Sequence, residues 1–210
     1  RKAIKHAIDG KAFAKAMSKG PFVSVYAGGI ARDSAFFDAD ATSFFPYNPA
    51  GANALLDGLG LMDTDGNGIR NLANGGGDLV INLVQNKDSE NEKLIGDGLA
   101  TMMAEVGIKL NLKPMEDTEP TRQSGEWDWA ISRAQQEFAF PNSGYWSEMG
   151  PVTTSSFDPH MGSDEHPQQF QPFEKEIVSI LEEWRDGVEG AEAQALMSRY
   201  QKLFTENVYM

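Results

Sequence analysis

The chain has 210 residues and no cysteine, and its 31 acidic residues outnumber 18 basic ones for a formal charge of −13. That length supports a core without metal or disulfide help, and the missing cysteine excludes thiol catalysis and cysteine-ligated zinc or iron–sulfur centres. The charge opposes nucleic acid and anionic membrane as partners, no local basic patch offsets it, and no apolar run approaches the roughly 20 residues that span a bilayer.

Arg1 to Ile8 reads as a helix already under way, with no capping residue before it. At the other end, Asn207-Val208-Tyr209-Met210 reads as a strand just starting, so the chain is expected to be a piece of something longer. Asp9 is placed to cap a second helix, with Phe13 and Met17 inward and Gly20-Pro21 ending it. Phe22 to Pro46 has no sustained period but sets Phe22, Tyr26, Phe36, Phe37, Phe44 and Phe45 among glycine and aspartate. Such apolar anchors predict a long ordered loop or a set of short pieces rather than a linker. Asn48-Pro49 supplies a cap and a proline at the first helical position. Ala52, Leu55, Leu56 and Leu59 form the expected buried face of that helix, and Gly60 ends it.

The centre of the chain is Leu79 to Met115. Leu79 to Val84 is a short β-branched-rich run leaving Gly75-Gly76-Gly77, which suits a strand. Ser89 and Glu92 have capping-box spacing, with the Glu92 carboxylate expected to reach back to the cap amide. Ile95, Leu99, Met102, Met103 and Val106 then mark one helical face, and Gly107 suits a left-handed terminus. Ile108, Leu110 and Leu112 alternate with Lys109, Asn111 and Lys113 as a half-buried strand. Two strands joined by such a helix predict a parallel crossover. Ile69 to Leu72 is expected to pair with Leu79 onward as a hairpin, and 127–133 reads as a further strand. The fold class is therefore α/β: one mixed sheet with strands near 79–84, 108–115 and 127–133, flanked by helices near 49–59, 90–106, 173–185 and 191–205.

Candidate chemistry is sparse. Asp63, Asp65 and Asn67, with the Ile69 carbonyl, have the oxygen spacing of a calcium loop. The twelfth position is Asn74 rather than a bidentate glutamate, and a hairpin turn whose side chains bond their own backbone accounts for the same residues. Asp158, His160, Asp164, Glu165 and His166 crowd one loop, read as solvated polarity because no helix or strand fixes their spacing. No nucleophile elbow, phosphate loop or dinucleotide fingerprint is present. The segment 127–146 differs: a strand delivers Arg133, Gln135, Gln136 and Glu137 into a loop holding Phe138, Phe140, Pro141, Tyr145 and Trp146. Charged and amide groups beside aromatics suit a small-molecule or peptide site, and equally a loop pinned by its own aromatics.

Several motifs, in order, resemble one family. Arg1 to Asp9 is similar to the "R-x-A-x-x-x-A-I-D" helix of the family 5 solute-binding proteins of ABC transporters, the oligopeptide-, dipeptide- and nickel-binding group. Tyr47-Asn48-Pro49 through Leu61 resembles their "Y-D-P-x-x-A-x-x-L-L-x-x-x-G" helix, and Asp63 to Arg70 their "D-x-D-G-D-G-x-R" turn. Leu94 to Ile108, Phe173, Tyr200 to Leu203 and Val208-Tyr209 extend the likeness over nearly the whole chain. The resemblance implies that residues 1–210 form a single domain, the second, C-terminal lobe of a two-lobed periplasmic binding protein, truncated near both hinge strands. It implies a periplasmic or cell-surface location, a non-enzymatic role capturing a peptide-like or other small solute, and an ABC permease as partner. It also implies that Glu137 stands where peptide binders place the aspartate that holds a peptide amino terminus, while Ala134 replaces their tryptophan. The expected ligand-binding residues are Glu137, Arg133, Gln135, Phe138, Phe140 and Trp146. A calcium-binding extracellular module, or a hydrolase using a carboxylate pair, are the rival readings.

Overall fold

In the computed structural model, which describes residues 1–17, 28–124, 127–131, 150 and 170–209, both strands expected around the central helix are present. They are β1 (Val80–Asn86) and β2 (Lys109–Met115). They pair in parallel from Val80 against Lys109 to Asn86 against Met115. A two-residue strand, β3 (Trp129–Ala130), adds to the other side of β1, again parallel, so the order is β2–β1–β3. The antiparallel hairpin is reduced to one bridge, Asn71 against Asp78, with Leu72 N–H donating to the Gly77 carbonyl at 2.8 Å. From Val80 onward β1 takes its partners from β2 and β3 instead.

These strands belong to the first of two units, which comprises residues 1–25, 45–118 and 127–131. Its helices are α1 (Lys2–Ala7), α2 (Gly10–Met17), α3 (Pro49–Gly58) and α4 (Glu90–Ala104). The predicted caps form: Asp9 Oδ1 accepts from Ala12 N at 2.9 Å and Asn48 Oδ1 from Gly51 N at 2.9 Å. Ser89 Oγ accepts from Glu92 N at 3.2 Å. The reciprocal half of the Ser89 capping box does not form. The Glu92 carboxylate takes the Asn86 amide at 2.7 Å, because β1 ends there and its last N–H needs an acceptor. Gly107 closes α4 at φ +75°, letting Ile108 N bond back to the Met103 carbonyl at 2.9 Å.

Ala3 and Ala7 of α1, Ala52 and Leu56 of α3, and Met103, Val106 and Ile108 form the first core. Ile81, Leu110 and Trp129 pack on it from the sheet. Each large apolar side chain buried here contributes roughly 1.5–3 kcal/mol over leaving it in water. Leu55 and Leu59, expected in this face, are exposed at 42% and 66%. At about 100° per residue, α3 is turned so that Asn53 and Asp57 point to Arg70 while Ala52 and Leu56 enter the core. That rotation leaves Leu55 outside, and Leu59 lies past the last turn.

The second unit comprises residues 26–44, 119–126 and 132–210. It contains α5 (Glu119–Ser124), α6 (Pro172–Gly187) and α7 (Gly190–Glu206). The pairing of α6 with α7 builds a second core from Ile177, Ile180, Leu181, Leu196, Met197, Tyr200 and Phe204, joined by Ile30 and Tyr209. Phe36 meets Trp184 edge-on at 5.1 Å between ring centroids. The expected ordered loop holds over its described part because α7 grips it. Gln201, fully buried, donates Nε2 to the Phe36 carbonyl at 2.7 Å and accepts from Asp38 N at 3.1 Å. Thr205 Oγ1 accepts from Ser43 N at 2.9 Å.

Candidate functional site

All three strands run the same way, so their carboxyl ends share one edge. In open α/β sheets ligands bind at that edge, because the loops leaving the strands converge there. Here it is tied by Lys87 N–H to the Met115 carbonyl at 2.8 Å and by a Lys87–Glu116 ion pair at 3.3 Å. Ile131 N–H bonds to the Val84 carbonyl at 3.0 Å, and the segment carrying the expected ligand contacts follows Ile131 in sequence. Those contacts, Arg133, Gln135, Glu137, Phe138, Phe140 and Trp146, lie outside the described residues, as do His160 and His166.

Across one face of the sheet runs a polar ladder that the sequence pattern did not signal. Asn111 Nδ2 donates to Asn82 Oδ1 at 2.9 Å, and Asn82 donates both N–H and Nδ2 to Asp128 Oδ2 at 2.8 Å. The ladder holds β2, β1 and the approach to β3 in one register. Asn82, Asn111 and Asp128 stand in three separate segments, and only the pairing of the strands brings them together.

The Asp63 turn forms, and its oxygens are engaged by backbone donors. Asp63 Oδ1 accepts from Gly66 N at 2.8 Å and Oδ2 from Gly68 N at 2.9 Å. The Asp63 carboxyl is held below its ordinary value, first by the Gly68 hydrogen bond. Asp65 Oδ1 accepts from Asn67 N at 3.2 Å and Asn67 Oδ1 from Ile69 N at 2.7 Å. Among the described residues no group of three or more histidine, aspartate or glutamate side chains is arranged to hold a metal ion.

Behind the turn is a cavity of about 280 Å³ lined by Asn53, Asp57, Met62, Asp63, Arg70 and Glu105, among others. Arg70, only 9% exposed, fills its wall. Its guanidinium donates to Asp57 Oδ1 at 2.6 Å, Asn53 Oδ1 at 2.6 Å, the Val106 carbonyl at 2.8 Å and the Leu61 carbonyl. With every arm of the fork occupied, Arg70 is a tie between α3, the end of α4 and the turn, not an open anion receptor. His6 is similarly committed: its Nδ1 lies 2.8 Å from the Pro46 carbonyl and its ring meets Phe45 edge-on.

The small parallel sheet and the helices flanking it have the architecture of a lobe of a periplasmic binding protein. The family model for bacterial extracellular solute-binding proteins, family 5, matches residues 1–155, and the chain belongs to that family. Its location is accordingly periplasmic or at the cell surface. It is 32% identical over 215 residues to a periplasmic alpha-galactoside-binding protein of Rhizobium meliloti, a match covering 99% of this chain and 31% of that one. It superposes on the periplasmic binding protein MelB of Agrobacterium fabrum, solved in complex with stachyose, with a TM-score of 0.86 and 30% identity, covering 100% of this chain and 32% of that one. The oligopeptide-binding protein OppA shares the fold at a TM-score of 0.81 and 16% identity, covering 100% and 36%. The chain thus spans about a third of the length of these relatives. The relatives are binding proteins, not enzymes.

Proposed function

We propose that the chain is the second lobe of the solute-binding component of an ABC importer, and that the whole protein captures an α-galactoside-type oligosaccharide between two lobes for delivery to the permease. The observation that carries this reading is the identity of 32% and 30%, over essentially the full chain, to proteins named for an α-galactoside and solved with stachyose. Peptide binders share the fold at 16% identity, so they support the architecture and not the ligand.

The expected contact residues suit a sugar as well as a peptide. In this reading the Glu137 carboxylate accepts hydroxyl hydrogens, Arg133 and Gln135 donate to ring and hydroxyl oxygens, and Phe138, Phe140 and Trp146 offer apolar faces to the sugar rings. Calorimetry on the full-length protein tests it, with stachyose and a short free-amine peptide as the two probes. Stachyose is expected to bind and the peptide not; binding of the peptide alone overturns the sugar reading. In the same protein Glu137→Gln should weaken stachyose by roughly tenfold to a hundredfold, the loss of one hydrogen bond to a charged group. An affinity unchanged within about twofold, less than ~0.5 kcal/mol, removes Glu137 from the site.

A further inference from the structure

The first unit carries two asparagine–glycine pairs, Asn67-Gly68 in the acidic turn and Asn74-Gly75 in the hairpin loop. Glycine after asparagine leaves the following amide nitrogen unshielded, so the two pairs are equal by sequence. They are not equal in structure. We propose that Asn74, and not Asn67, is a site of spontaneous deamidation and isoaspartate formation in the folded protein.

The reaction is an attack within the chain. The backbone nitrogen of the glycine loses its proton to water or base and adds to the asparagine Cγ. The carboxamide nitrogen leaves as ammonia, and a five-membered succinimide remains. Water then opens the ring at either carbonyl, giving aspartate or isoaspartate. Two things must be free: the carboxamide, to turn its Cγ toward the nitrogen, and the glycine N–H, to give up its proton.

At Asn67 neither is free. Its Oδ1 accepts from Ile69 N at 2.7 Å, and its Nδ2 donates to Asp65 Oδ2 at 3.3 Å and Asp78 Oδ1 at 3.1 Å. The Gly68 N–H is held at 2.9 Å by the Asp63 carboxylate. Three carboxylates around this peptide, those of Asp63, Asp65 and Asp78, also oppose the negative nitrogen that the attack requires.

At Asn74 the conditions reverse. The side chain is exposed and makes no hydrogen bond. The Gly75 N–H has a single long bond, 3.3 Å to the Leu72 carbonyl. Both residues have positive φ, +79° and +75°, and a methyl group added at Gly75 or Gly77 would meet nothing within 4 Å, while one at Gly76 would meet only the Leu72 side chain. The loop is open enough for the ring to close. Isoaspartate would then lengthen the backbone beside the Leu72–Gly77 hydrogen bond and add a negative charge.

Trypsin separates the two pairs, since cleavage after Arg32, Arg70 and Lys87 puts Asn67 in residues 33–70 and Asn74 in 71–87. The full-length protein is aged in mildly alkaline buffer, folded and in urea, and each peptide is sequenced by mass spectrometry for isoaspartate. Breaking one hydrogen bond to a charged group before attack slows it about tenfold or more, so Asn74 should lead Asn67 by at least that factor in the folded chain. In urea the two rates should converge, and Asn74→Gln should abolish the folded-state product. Asp63→Ala should raise the Asn67 rate alone. If that variant unfolds, the comparison of folded with urea-treated wild type decides. Equal rates in the folded chain, or Asn67 leading, would overturn the assignment.

Discussion

Each unit pins a stretch of non-repetitive chain with one buried polar side chain, and the two choose differently. In the first, Arg70 gathers two carbonyls, an amide oxygen and a carboxylate. In the second, Gln201 meets a carbonyl and an N–H of the same loop. The chemistry of what must be held explains the difference. Around Arg70 every group is an acceptor, and only a guanidinium presents enough fixed donors to meet them. The 36–38 loop offers one acceptor and one donor, which a neutral amide matches without burying charge.

If this is right, Arg70→Leu has the largest effect, leaving four acceptors without their donor and costing ~2–4 kcal/mol in urea unfolding. Arg70→Lys keeps the charge but loses the fork, so most of that cost should remain. A cost below that of any Gln201 variant would reverse the ranking. Next comes Gln201→Leu, which orphans the Asp38 amide and leaves the Phe36 carbonyl only the 3.5 Å bond from Gln194 Nε2, for ~1–3 kcal/mol. Hydrogen exchange at Asp38 should accelerate while the first unit's amides keep their protection. Gln201→Glu sharpens the contrast: it retains an acceptor for Asp38 but turns a carboxylate on the Phe36 carbonyl, so it should be less harmful in acid than at neutral pH. The smallest effect is the exposed Asp63 turn. Its carboxyl is depressed when folded, so its contribution is whole above its unfolded pKa and fades as pH falls through the folded value. The window lies below pH ~3.9, with Asp63→Asn expected to flatten stability there and nowhere else.

The fold was legible where hydrophobic period and capping residues agreed. Ser89, the Ile95 to Val106 face and Gly107 placed α4 closely, and the alternation of Ile108, Leu110 and Leu112 placed β2. Leu55 and Leu59 misled because a periodic leucine says that a helix has a face, not which way a distant arginine will turn it. Arg70 was visible only as the last letter of a motif. Its partners come from three places in the chain, and no local pattern joins them. The Asn111–Asn82–Asp128 ladder was hidden for the same reason, since strand register exists only after pairing. Arg133 and Glu137 are expected at the site from residue type and family resemblance alone, and they lie outside the described residues.

The grip of α7 on the 36–43 loop also sets an order of events during synthesis. Gln201 and Thr205 lie 163 and 162 residues beyond the amides of Asp38 and Ser43 that they hold. At bacterial elongation rates of about 5–20 residues per second, those partners reach the ribosome exit roughly eight to thirty seconds after the loop does. Through that interval Phe36 and Phe37 have no α7 to pack against. Until α7 arrives, Phe36 has Trp184 of α6 as a ring partner but nothing from α7 covers either ring, which leaves an apolar surface for a chaperone to hold.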